Sequence, residues 1–393
     1  MKGMSGHRIP SLDGFRAISI LMVLYGHLGG TRNYPTAAVG IFGRWLGDLG
    51  HLGVLVFFVI SGFLITTLLM GEHAKTGTIS LKQFYLRRVL RIFPAFYVLI
   101  LALLIATWLG WVELTGRDFA FAMTYTVNYF SGHPWQVGHL WSLSIEEQFY
   151  LLWPLALLVL RERRALILAI AAIFAAPLLR AAIREYIFHV NPHTPLADMS
   201  IFPAMFDYIA TGCALALLRP WLLTQDWYLR LTASPWLLLA VPLIFLINRL
   251  DGYTLVMLLG SPVLNVCVAL LIESCTRHDR TPVGRFLNWK PVAAMGVLSY
   301  SLYLWQQPFL DRHSGAWVNA FPQNLVFALA AALLSYFLVE RTFLGLRNRF
   351  RQSPAMPMHG AVGAVSGTGA QPDATTMQAA DDPSRFARTG KVP

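Results

Sequence analysis

Apolar runs of about 20 residues recur along this chain with only short polar or basic stretches between them. That repetition leaves few folds open. A run of this length crosses a bilayer as a helix, at about 1.5 Å of rise per residue. In lipid every backbone group must be paired within the protein, so helices are the expected form. About ten runs qualify, near 12–29, 50–71, 91–112, 145–160, 165–182, 203–219, 233–248, 252–273, 291–310 and 320–340. Only Arg161, Glu162, Arg163 and Arg164 separate the fourth from the fifth. Hydrophobic residues make up 56% of the chain and charged residues 13%, against about 25% charged in a soluble domain. The expected fold class is therefore all-α, a polytopic transmembrane helical bundle. The first run is too long and too charged for a cleaved secretory signal and stays as a membrane helix.

The net charge of +11 suggests nucleic acid until the basic residues are placed on this topology. With the N-terminus inside, about 20 Lys and Arg fall on the cytoplasmic side and about 7 on the other. The basic excess reads as positive-inside topology, with no nucleic-acid partner. It places the protein in the inner (plasma) membrane, multi-pass, with both termini cytoplasmic and membrane lipids around it. Cys213, Cys267 and Cys275 are scattered and form neither a disulfide framework nor a zinc pattern. The membrane domain is expected over 1–345. Residues 346–393, basic and then rich in Gly, Ala, Ser, Thr and Pro, read as a disordered cytoplasmic tail.

Ionisable residues inside the apolar runs are costly and point to function. Arg16 and His27 share the first run. Eleven residues at about 100° each bring them to one face of a helix, roughly 16 Å apart along its axis. They are too far apart to pair, so each must serve a cavity or a neighbouring helix. A second block runs from Gly138 and His139 through Trp141, Ser142, Ser144, Glu146 and Glu147 to Tyr150. Adjacent carboxylates at the mouth of an apolar helix suggest chemistry, although capping of the helix N-terminus would also explain them. Trp141 suits a membrane-interface belt as well as a substrate platform.

Arg88 and Arg91 lie one helical turn apart, and guanidinium forks bind phosphate. A snorkelling basic flank is the plainer reading. The run Phe57 to Phe63, with Ser61 and Gly62, suits close helix packing, and His51 stands at its outer end. Ser299 and Tyr303, four apart, share a helix face and could orient a ligand or join helices. No Gly-x-Ser-x-Gly elbow, P-loop, dinucleotide fingerprint or His/Cys metal spacing is present, so no metal is expected.

Taken in order, these motifs resemble the integral-membrane acyltransferase 3 family, which O-acylates cell-surface sugars and related acceptors. The resemblance rests on Arg16 and His27, Phe57 to Phe63, Arg88 with Arg91, His139 to Tyr150, and Ser299 to Trp305. It implies a ten-helix domain that takes an acyl group from acyl-CoA, acetyl-CoA first, on the cytoplasmic side. The acyl group passes to a hydroxyl of a polysaccharide, another glycan or a lipid-linked sugar. Carried over position by position, His27 is the catalytic base and Arg16 its charged companion. Arg88 and Arg91 take the coenzyme phosphates, and Glu146 and His139 are further catalytic candidates. Glu147, Ser142, Trp141, Ser299 and Tyr303 are candidates for substrate binding. Many relatives carry His after the Trp of the ninth-helix motif, where this chain has Gln306, which weakens a proton-transfer role there. No fused extracytoplasmic domain of the kind some relatives carry is expected.

The expected chemistry is O-acyl transfer, with neutral His27 accepting the acceptor hydroxyl's proton. A covalent relay through Ser142, Ser144 or a histidine is an alternative route. A transporter or flippase would use the same buried charges, but the chain shows no internal repeat. A purely structural role for Arg16 and His27 is the third reading.

Overall fold

The computed structural model describes residues 10–35, 45–189, 200–250 and 253–352, and among these there is no strand. The principal helices are α1 (Pro10–Leu28), α2 (Leu49–Thr76), α3 (Leu81–Trp108), α4 (Gly116–Met123) and α5 (Leu140–His189). After them come α6 (Phe202–Leu222), α7 (Asp226–Ala233), α8 (Ala240–Arg249) and α9 (Ser261–Arg277). Last are α10 (Lys290–Phe309), α11 (Gln323–Ser335) and α12 (Arg341–Gln352). The C-terminal tail expected from 346 starts inside α12, and its residues beyond 352 lie outside the described ones.

Local signals set the helix ends. Asp48 caps α2 by accepting the His51 amide at 3.0 Å, and Ser80 caps α3 through the Gln83 amide. Gly77 closes α2 in the left-handed region at φ 74°, where a Cβ would be strained. The basic tetrad between the fourth and fifth expected runs marks a real break. Arg161 takes φ 59° and ψ 170° and interrupts the helical path of α5.

Five helical stretches are long and apolar enough to cross a membrane, and a sixth if α7 and the segment Pro235–Arg249, bent by 64°, act as one. The expectation of about ten spans is not reached on that measure, for a physical reason. The stretch Trp135–Ile187, 53 residues long, counts once although its length of roughly 80 Å far exceeds one bilayer. Helices α1, α6 and α10 coincide with expected runs but carry buried Asp13, Asp207 and Gln306.

Those polar-bearing helices form the centre. Helix α1 packs on α2 and α10, α2 packs on α6, and α6 on α5. In lipid, helix pairing depends on close packing, so small residues mark the crossings. A Cβ on Gly62 of α2 would overlap the Ile209 carbonyl oxygen, and one on Gly212 of α6 that of Val59. A Cβ on Gly296 of α10 would likewise strike the Asp13 backbone of α1. A buried ion pair ties α5 to α6, with the Arg180 guanidinium spanning both Asp207 oxygens at 2.7 and 2.9 Å. Asn265 of α9 donates to the same carboxylate at 3.1 Å.

Candidate active site

The polar side chains of this centre separate into two groups, one at each reach of α1. At the C-terminal end of α1, a cavity of about 420 Å³ is lined by His27, Asp48, His51, Trp135, His139, Trp141, Tyr303 and Arg312. Helix α1 ends there because Gly29 and Gly30 follow Leu28, with Gly30 at φ 90°. A Cβ on Gly26 would lie 2.8 Å from the Gly50 Cα, so the ends of α1 and α2 meet closely at the cavity wall.

His27 is half-buried and bonded through Nδ1 to Gln306 Oε1 at 2.7 Å, across from α1 to α10. Its ring stands edge-on to Trp135, with centroids 5.5 Å apart. Trp135 is itself fixed, donating from Nε1 to the Gln307 carbonyl at 3.0 Å. Arg312 lies 4.6 Å above the Trp135 ring and donates to the Gly26 carbonyl at 3.3 Å. A cation is thereby held beside His27, and it is Arg312, not Arg16.

His139 is buried. Its Nε2 meets the Leu304 carbonyl at 3.2 Å, and its Nδ1 has no hydrogen-bond partner among the described residues. A ring that donates from Nε2 to a carbonyl carries its lone pair on Nδ1, so His139 can accept a hydrogen bond there. Tyr303 donates to the His139 carbonyl at 2.9 Å, and its oxygen lies 2.5 Å from the Ser142 hydroxyl. His51 stacks on Trp141 at 6.0 Å. Ser299, although buried on the same helix as Tyr303, is not part of the cavity wall.

The second group lies deeper along α1. Ser61 of α2 donates to Glu146 at 2.6 Å, and Tyr150 donates to Ser61 at 3.4 Å. The Arg88 guanidinium sits 4.9 Å over the Tyr150 ring. Arg16, Arg88, Glu146 and Glu147 are close enough for their charges to act on one another. Two arginines and two carboxylates thus balance each other inside the bundle, which lowers the cost of burying either sign. Arg91 is close enough to Glu340 for their charges to interact, and Glu340 accepts from the Ser301 hydroxyl.

The structure therefore joins His27, His139, Trp141 and Tyr303 around one cavity, with Ser142 bonded behind Tyr303, and Arg16, Arg88, Glu146 and Glu147 in one cluster. It does not bring Arg16 to His27. Helix α3 begins at Leu81, so Arg88 and Arg91 both lie within it, one turn apart. Sequence reasoning missed Trp135, Arg312 and the bond of Gln306 to His27. The available signal was the Tyr303 to Gln306 spacing, which puts the amide on the tyrosine's helix face. Among the described residues no three His, Cys, Asp or Glu side chains are placed to hold a metal ion.

The family described as an acyltransferase domain matches residues 9–340. The chain is 30% identical to the O-acetyltransferase OatA of Staphylococcus aureus over 329 residues, 79% of this chain and 52% of that protein. It is 28% identical to the putative peptidoglycan O-acetyltransferase YrhL of Bacillus subtilis, over 77% of this chain and 49% of that one. A further relative is the peptidoglycan O-acetyltransferase OatA of Listeria monocytogenes, 27% identical over 88% of this chain and 55% of its own length. The chain spans about half the length of these curated relatives. No solved structure matches it. On its sequence match and its motifs, the chain belongs to the acyltransferase 3 family.

Proposed function

We propose that this chain is a membrane O-acetyltransferase that moves an acetyl group from acetyl-CoA to a hydroxyl of a cell-wall glycan. The observation that carries this reading is His27 in its cavity, with Nδ1 engaged by Gln306 and the ring braced by Trp135. The names of the similar proteins supply the acetyl group and a peptidoglycan-type acceptor. The cavity would face outward in the plasma membrane, with both chain ends cytoplasmic, as the distribution of Lys and Arg suggests.

Imidazole at His27 takes the proton of the acceptor hydroxyl as its oxygen attacks the thioester carbonyl. The tetrahedral intermediate collapses by breaking the carbon–sulfur bond, and the departing coenzyme thiolate takes the proton back from His27. The negative oxygen formed on the way is stabilised by Arg312, the cation poised beside His27. His139 Nδ1 and the Tyr303 hydroxyl hold the acceptor sugar, with Trp141 as its platform and Ser142 fixing Tyr303 from behind. Arg88 and Arg91, at the opposite reach of the bundle, receive the coenzyme phosphates. Arg16, Glu146 and Glu147 keep Arg88 in place. Ser299 supports α10 rather than touching substrate.

The test is transfer of label from radiolabelled acetyl-CoA to extracted glycan in membranes that contain the full chain. Label in the glycan, released by mild base as acetate, supports the reading. Membranes with folded protein and no labelled glycan would refute it.

A further inference from the structure

We infer that Gln306 is the positioning residue of His27, holding hydrogen on Nδ1 so that Nε2 is the nitrogen left to take the acceptor's proton. The inference rests on the acyl-transfer reading above and assigns a role to a residue that sequence motifs had discounted.

Gln306 is fully buried on α10, at 0% exposure. An amide in such a place is costly unless its polar atoms are paired, and unpaired buried groups call for an explanation. Its oxygen meets His27 Nδ1 at 2.7 Å, while its Nε2 has no partner among the described residues. The side chain is therefore kept for the sake of one bond, and that bond goes to His27.

Geometry makes the contact firm. The two residues lie 279 positions apart in sequence, on helices α1 and α10. Those helices touch backbone to backbone where Gly296 meets Asp13. The amide is thus delivered by rigid helices, not by a loop. Trp135, edge-on at 5.5 Å, limits rotation of the imidazole on its other side.

The chemistry follows from donor and acceptor capacity. An amide oxygen accepts only, so His27 Nδ1 carries the hydrogen. A neutral imidazole has one N–H, which leaves the lone pair on Nε2. Among the described residues no protein atom is hydrogen-bonded to Nε2. A histidine in place of Gln306 could donate or accept and would leave the tautomer open. The glutamine closes that choice without adding charge.

The experiment uses membranes with the full chain and compares wild type with Gln306→Leu, which removes the acceptor oxygen, and Gln306→Glu, which keeps one. Acetyl transfer from labelled acetyl-CoA gives kcat and KM. Diethylpyrocarbonate, which adds to the lone-pair nitrogen of neutral imidazole, reports on His27 by peptide mass spectrometry, with exposed His73 as the reference. Gln306→Leu is expected to lower kcat by about 10- to 100-fold, part of the usual worth of a general base, with KM within about twofold. Its His27 labelling should change by at least about threefold, and Gln306→Glu should recover most of the turnover. Leu and Glu variants that both match wild type in turnover and labelling would overturn the inference. So would a loss in Gln306→Leu that Gln306→Glu does not restore. If wild type transfers no label, the acyl-transfer reading fails and His27 labelling decides alone. Labelling altered in Gln306→Leu then upholds the contact, and unaltered labelling refutes it.

Discussion

Arg16 and His27 share one unbroken helix yet face different chemistry, His27 meeting Gln306 and Arg312 and Arg16 meeting Glu146 and Arg88. The eleven-residue spacing puts both on one face of α1, and the length of the helix then separates them. One helix face thus serves two sites. The cation beside His27 comes from the short loop after α10, over the face of Trp135.

Trp135 supports both partners of that site, so its loss should cost more than its packing. Trp135→Ala is expected to lower kcat/KM for acetyl transfer by at least about tenfold, because Arg312 loses its aromatic seat and His27 its brace. Trp135→Phe keeps the ring face and should lose less. Equal losses in the two variants would point to the indole N–H bond to Gln307 instead.

The inner cluster balances charge, and removing one member should hurt more than removing a pair. Arg88→Met should lower the thermal midpoint in detergent, because Glu146 and Glu147 then lose an opposing charge. The double variant Arg88→Met/Glu147→Leu should regain part of that loss. Scanning fluorimetry of the three proteins gives the comparison, and a double variant less stable than the single one would contradict the account.

Arg180 and Asp207 form the most enclosed ion pair among the described residues, with side chains 5% and 0% exposed. Asp207→Ala removes the carboxylate opposite the buried Arg180 guanidinium and should destabilise the fold by about 3–5 kcal/mol. Arg180→Met with Asp207→Leu should restore most of it. Chemical unfolding followed by intrinsic fluorescence measures both.

The α2–α6 crossing tolerates no side chain at its contact. Gly62→Leu or Gly212→Leu should destabilise by at least about 1–3 kcal/mol and yield aggregated protein on size-exclusion chromatography. Gly71→Leu, a position on the same helix with open space around it, should remain monodisperse.

Much of this architecture was legible in the residues. The apolar runs correspond to helices, and the basic tetrad after Leu160 marks the break at Arg161. The block His139 to Tyr150 does supply both polar groups, with His139, Trp141 and Ser142 in one and Glu146 with Glu147 in the other. What could not be read was pairing across the fold. His27 and Gln306 are 279 residues apart, and nothing local to either announces the other. Arg312 lies in a loop, outside any periodic pattern. The spacing of Arg88 and Arg91 puts them one turn apart on α3, but it does not announce Tyr150, which lies under the Arg88 guanidinium.

The most direct test of the central claim is acetyl transfer by His27→Ala. Membranes matched for folded protein would be given labelled acetyl-CoA, and the glycan fraction would be counted against wild type. The account predicts a fall of at least about 100-fold, the scale of a lost general base, with unchanged expression and monodispersity. Turnover within a few fold of wild type would contradict it and remove His27 from the chemistry.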